Sequence, residues 1–211
     1  LGIPLATAEA EDQTEISFRW AFGAVVGPKT DRRLVAITRD TTLKSGDQLK
    51  MFVELQKKCF VYLIYHSGQG EIHLLFPYKI QQFDKDYQLL KRYYIPKGDL
   101  WFELDQKVGM ESFYLLASAQ RLTGLEALLT AYNRSERSNK AEQVKQILAE
   151  IKRIRKQSRK LATVAERPVP IGGNVRGVDR DKGAACPDIA PIAGEVTATG
   201  FYGRTYTIDH R

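Results

Sequence analysis

The stretch CFVYLIYHS, residues 59–67, decides the fold. Its first seven residues are apolar or aromatic at both odd and even positions, and seven residues is too short for a buried helix of ordinary length. A strand that is apolar on both parities is covered on two sides. Working outward, TTLKSGDQLKMFVEL (41–55) places Leu49, Met51, Val53 and Leu55 on one face of an alternating strand. Ser67-Gly68-Gln69-Gly70 then turns the chain into EIHLLFP (71–77), which reads as a hairpin closed by Pro77. RYYIP (92–96), DLWFEL (99–104) and ESFYLLAS (111–118) continue the series, with Gly, Pro and Asp between them. Strands at this spacing indicate a mainly β fold, an antiparallel β-sandwich, rather than alternating βα units.

On the N-terminal side, Glu15 to Val26 alternates, with Ile16, Phe18, Trp20 and Phe22 on one face and Ser17, Arg19 and Ala21 on the other. That pattern predicts a half-buried strand ended by Gly27-Pro28. A weaker strand follows at Arg33 to Thr38. After Ser118 the period changes. LTGLEALLTAY (122–132) reads as a helix, and Val144, Ile147, Ile151, Ile154, Ser158 and Leu161 form a helical stripe within Ser138 to Thr163. Glu166 to Gly194 holds four prolines and five glycines and reads as a long irregular connection. Alternation returns over Glu195 to His210, read as one strand rejoining the sandwich. The expected organisation is an arm at 1–10, a sandwich core at 11–121, a helical excursion at 122–163, and a connection with a terminal strand at 164–211.

The packing residues of the central run resemble a bacterial family known only as domain of unknown function 4384. The likeness sits in Gly46-Asp47 before an alternating strand, Val61-Tyr62-Leu63-Ile64, Leu75-Phe76-Pro77 after a Gly turn, Tyr94-Ile95-Pro96, and Leu115-Leu116-Ala117-Ser118 running into a helix. It covers a little under half the chain. The resemblance implies an envelope-associated β-rich domain, of a kind appended to peptidases, kinases and other modules without an assigned reaction.

The apolar fraction of 43% suits a folded protein, and no apolar run reaches the length of a membrane-spanning helix. The net charge is +7, and the segment from Arg137 to Lys160, with nine basic and two acidic residues, carries an excess equal to that of the whole chain. Its cations alternate with the apolar stripe, so they form the solvated face of an amphipathic helix. Lys152, Arg155, Lys156 and Arg159 are the candidate partner-binding residues. An acidic protein surface or an anionic membrane suits them better than nucleic acid, since no base-stacking aromatic accompanies them. The opening LGIPLATAEA, with Ala6, Ala8 and Ala10 at cleavage-type spacing, is expected to be the end of a secretory signal. Periplasmic or extracellular export would permit a disulfide between Cys59 and Cys186; the alternative for Cys59 is a small buried hydrophobe in its strand.

The signals for chemistry are weak. His66 and His73 flank one hairpin turn, but two imidazoles do not complete a metal site. Asp179, Asp181 and Gly183 begin a calcium-loop pattern, yet its twelfth position is Ala190. No Ser or Thr stands in a recognisable sequence relation to a histidine and a carboxylate. Trp101 and the Tyr93-Tyr94 pair are candidates for stacking on a glycan. The expected function is a non-catalytic, exported interaction or structural module without a cofactor, an accessory subunit of an envelope or extracellular assembly. A glycan-binding module is the alternative, and a hydrolase with an unrecognised site comes behind it.

Overall fold

The computed structural model describes residues 15–28, 30–158, 164–167 and 187–211. Among these, two β-sheets pack face to face, and a pair of helices covers the outer face of one of them. The first sheet contains β1 (Glu15–Val26), β2 (Arg33–Ala36), β4 (Gln48–Leu55), β7 (Arg92–Ile95), β8 (Phe102–Glu103), β10 (Val164–Arg167) and β11 (Gly194–Thr199). Its spine runs β10-β11-β1-β4-β7, with β2 paired to β1 and β8 to β4. The second sheet has the order β3-β12-β9-β5-β6, from β3 (Thr41–Leu43), β12 (Phe201–His210), β9 (Gly109–Ser118), β5 (Phe60–His66) and β6 (Ile72–Phe76). The expected β-sandwich with two helices is therefore the observed architecture. One pairing departs from the antiparallel pattern: β3 runs parallel to β12.

Strand β5 bears out the two-sided reading. Val61 and Leu63 point into the space between the sheets, beside Phe18, Met51 and Leu115. Tyr62 and Ile64 point the other way, against Leu125, Leu129, Ile147 and Ile151. The helices responsible are α2 (Thr123–Arg134) and α3 (Lys140–Ser158), joined by a 3₁₀ turn at Arg137–Asn139; a short α1 (Gln82–Lys85), not anticipated from the pattern, lies earlier in the chain. Val144, Ile147, Ile151 and Ile154 are all buried, so the stripe on α3 is covered by the protein's own sheet and by α2. The remainder of the expected helix, up to Thr163, lies outside the described residues.

Tyr62 fastens this layer. Its hydroxyl donates to Glu126 Oε1 at 2.6 Å and accepts from the Leu122 backbone N–H at 3.0 Å, at the point where α2 begins. That bond satisfies a helix-start donor for which no side-chain cap is present. Arg121 neutralises the buried Glu126 through two further bonds, of 2.6 and 3.0 Å. Burial, followed by the Glu126 bond, holds the Tyr62 phenol well above its ordinary pKa.

Two expectations are corrected. The outward face of β1 is not open to water: Ser17 and Ala21 are buried. Residues 187–193 fold back over it, placing Ile189, Ala190 and Ala193 against Ala21 and Phe52, and Arg19 donates to the Ala190 carbonyl at 3.2 Å. The terminal alternation is two strands instead of one. β11 pairs with β1 in the first sheet and β12 with β9 in the second, so the chain changes sheets at Gly200. Gly200 has φ +73°, a conformation costly for a residue with a Cβ. Alternation alone cannot show this crossing, because inward residues remain inward when a strand passes from one facing sheet to the other.

Replacing Leu63 by Ala should destabilise the protein by about 2–5 kcal/mol, the usual range for a large-to-small core change. Denaturant titration of the purified protein checks this, and an unchanged midpoint would contradict the two-sided burial of β5.

Candidate functional site

The core-facing rows of three neighbouring strands end in polar residues at the same end of the sandwich. On β5 the row runs Val61, Leu63, Tyr65; on β9 it runs Ala117, Leu115, Phe113, Glu111; on β12 it runs Tyr206, Ile208, His210. Registry brings these ends together, since Tyr65 pairs with Phe113, Ile208 with Glu111, and His210 with Gly109. Glu111 and His210 are each only 2% exposed. A buried carboxylate needs bonds to offset its lost hydration. Glu111 Oε2 accepts a short bond from the Tyr65 hydroxyl and another at 3.3 Å from the Gly68 N–H. The Gly68 bond depends on a close backbone approach, because a Cβ on Gly68 would lie 3.1 Å from the Gly109 Cα. Burial, and then the Glu111 bond, pushes the Tyr65 phenol well above its ordinary pKa, so it stays a donor.

His210 also meets Ser45. The parallel pairing of β3 with β12 sets Leu43 beside His210, and Ser45 follows two residues later. Ser45 Oγ lies 3.1 Å from His210 Nε2. On the other side of the ring, Nδ1 is buried without a hydrogen-bond partner and lies 3.8 Å from Glu111 Oε1. The structure thus brings a hydroxyl, an imidazole and a carboxylate into one line, which the sequence reading did not recognise. The usable signal was parity: Glu111 and His210 continue the inward rows of their strands, at positions where an apolar residue is the norm.

A cleft of about 460 Å³ opens above this floor, between the sheets. Leu49, Leu75, Phe102 and Phe113 contribute its apolar walls, and Glu71, Glu103, Asp105 and Lys107 stand at exposed positions around it.

Residues 42–121 match the model of a family described as Domain of unknown function (DUF4384). No curated protein and no solved structure matches the chain. The matched segment spans β3 to the residue pair before α2. It includes Ser45, Tyr65 and Glu111 and leaves out His210, so the floor of the cleft is shared between the matched segment and the terminal strand.

The other expected site residues are dispersed. Lys152 and Lys156 are exposed on α3, whereas Arg155 lies partly buried and donates to Thr205 Oγ1 at 2.7 Å, tying the helix to β12. Arg159 lies outside the described residues, as do the calcium-like loop at Asp179–Gly183, the signal-like residues 1–10, and Cys186. His73 is exposed and lies 3.7 Å from Glu71, while His66 pairs with Ile72 on the hairpin; burial holds the His66 pKa below its ordinary value, opposed by Glu111. Among the described residues no group of three or more His, Cys, Asp or Glu is arranged to hold a metal. Of the proposed stacking rings, Tyr93 is in the core, and Tyr94 and Trp101 are half-buried beside the Lys50 ammonium, 5.6 Å from each ring centre. Lys50 itself is bonded to the carbonyls of Gly98 and Leu100 at 2.5 and 2.6 Å.

Cys59 is fully buried, and burial pushes its thiol up to about 12. On the order of one molecule in 10⁴ carries a thiolate there at pH 8, and only the thiolate reacts. In a Cys186→Ser variant, Cys59 should resist a thiol-titrating disulfide reagent at pH 8 and react once denaturant unfolds the protein. Rapid titration under native conditions would contradict the burial.

Proposed function

We propose that this chain is a non-catalytic interaction module, exported to the periplasm or beyond, acting as an accessory subunit of an envelope or extracellular assembly. The observation that carries the reading is the state of the Ser45–His210–Glu111 line. A serine nucleophile needs its histidine oriented by the acid, and it needs free donors where the oxyanion develops. Here the imidazole–carboxylate gap is 3.8 Å, beyond a hydrogen bond. The N–H groups beside the hydroxyl are committed, with Ser45 N bonded to the Arg211 carbonyl and Gly46 N to that of Leu104. The arrangement ties the turn after β3 to the end of β12.

The exterior supports the interaction half of the reading. With the stripe of α3 spent on the protein's own sheet, what the helix presents is cationic: Lys145, Lys152, Arg153 and Lys156 are exposed, and Arg153 is paired with Glu150 at 2.6 Å. A face of this kind meets an acidic partner with salt-sensitive strength. Among the described residues no helix is long and apolar enough to cross a membrane.

Charge reversal at Lys152 and Lys156 should leave the melting temperature within about 2 °C, since exposed substitutions rarely change stability by more than about 0.5 kcal/mol. It should weaken the native assembly by about tenfold or more. Native mass spectrometry of the complex isolated from the source organism reads this out, and fractionation of the same preparation tests export. An assembly undiminished in the double variant would remove α3 from the contact surface, and a chain found only as a monomer would overturn the module reading.

A further inference from the structure

A groove of about 830 Å³ is lined by β2, by β3 and by the end of β1. Its apolar lining is Val26, Val35, Ile37 and Leu43, all packed on the core between the sheets. Its charged lining is Arg33, Arg39 and Lys44 against one carboxylate, Asp47. That carboxylate is spent on the backbone, accepting from the Lys44 N–H at 2.8 Å and the Gly27 N–H at 3.4 Å. The three cations are exposed, and among the described residues none of their side chains is paired. Their charge stands uncompensated beside an apolar trough.

The second observation is independent of charge. β2 pairs with β1 alone and β3 with β12 alone, so among the described residues both are edge strands. The Ile37 N–H donates to the Phe22 carbonyl at 2.7 Å, which fixes the alternation of the β1–β2 ladder. In an antiparallel pair every second residue turns its N–H and C=O away from the partner strand. On β2 those residues are Leu34 and Ala36, so four backbone groups face the open edge. An edge of that kind is a template for one more strand.

We propose that this edge docks an extended acidic segment of a protein partner. Its backbone pairs with Leu34 and Ala36, its apolar side chains enter the groove, and its carboxylates meet Arg33, Arg39 and Lys44. This rests on the interaction-module reading and gives it a partner chemistry at a surface separate from α3. Only a polypeptide offers alternating N–H and C=O groups at the spacing of a strand, which sets a peptide above a lipid headgroup or an anionic glycan. The cations set an acidic strand above a second copy of this edge, because two such edges would bring like charges together. Main-chain bonds of this kind supply affinity, while the pockets for alternate side chains and the charges around them supply selectivity.

The test is NMR titration of the isotope-labelled protein, read at the amides of Leu34 and Ala36. The blocked peptide acetyl-Asp-Val-Glu-Val-Glu-Val-Asp-amide should shift both, with a Kd of about 1 mM. The same peptide with lysine in place of every acid should leave them unmoved. Methylating alternate backbone nitrogens removes the donors along one edge of the peptide and keeps its charge. In one of the two possible phases this should weaken binding by about tenfold or more. Arg33→Glu combined with Arg39→Glu, both at exposed positions, should leave the melting temperature within about 2 °C and weaken binding of the acidic peptide by about tenfold or more. The proposal is overturned by no response to the acidic peptide, by an equal response to the lysine peptide, or by undiminished affinity in the double variant. It is overturned too if both methylated peptides bind like the parent. The same holds if phosphatidylglycerol vesicles or dextran sulfate shift the two amides as the peptide does, since anionic charge alone would then suffice. A silent groove beside an intact native assembly sinks this inference alone; a responsive groove in a chain that never assembles sinks the module reading.

Discussion

Everything in this architecture leans on the burial of the second sheet from both sides. Its inner face meets β1 and β4, and its outer face meets α2 and α3, so β5 and β9 contribute apolar side chains in both directions. Dry burial of that kind leaves backbone groups dependent on the ladders alone, which explains the long uninterrupted registers of β9 with β5 and β12. It also requires that the helices be held at one height over the sheet. Tyr62 does this from the centre of β5, bonding Glu126 and the first turn of α2. Tyr132 does so from the helix side, its hydroxyl accepting the Ile72 N–H at 3.2 Å.

The first sheet is covered by a different device. Its outer face carries Lys50, Phe52 and Glu54 on β4, all buried. Glu54 is bonded by Arg19 and Gln56, and Lys50 by two carbonyls, so each charge beneath residues 187–193 or the β7–β8 loop has its counterpart. The sandwich is thus closed by helices on one side and by irregular chain on the other. The ends between the sheets are where solvent can still enter.

That location accounts for the polar floor of the end cleft. A strand's inward row must stop being apolar where the sheets splay and water begins, and a polar residue there is half-committed to the core. Tyr65, Glu111 and His210 occupy that boundary on adjacent strands, and together they form a buried floor bonded within the protein, Tyr65 to Glu111 and His210 to Ser45. The approach of Ser45, His210 and Glu111 to one another reflects the same crowding of polar row-ends. It ties the turn after β3 to the end of β12.

The sequence by itself determined the class and much of the core. Two-sided apolarity at 59–65 placed β5 in the interior, alternation at 48–55 identified the inward face of β4, and the 3.6-residue stripe on α3 identified its buried side. These were legible because each depends on a period internal to one element. The coverage of β1 by residues 187–193, the sheet change at Gly200, and the parallel pairing that carries Ser45 to His210 were not. Each joins segments far apart in the chain, 165 residues in the case of Ser45 and His210. Period and propensity report the faces of an element but not its neighbours, so the cleft and its clasp were decided only when the strands were brought into register in space.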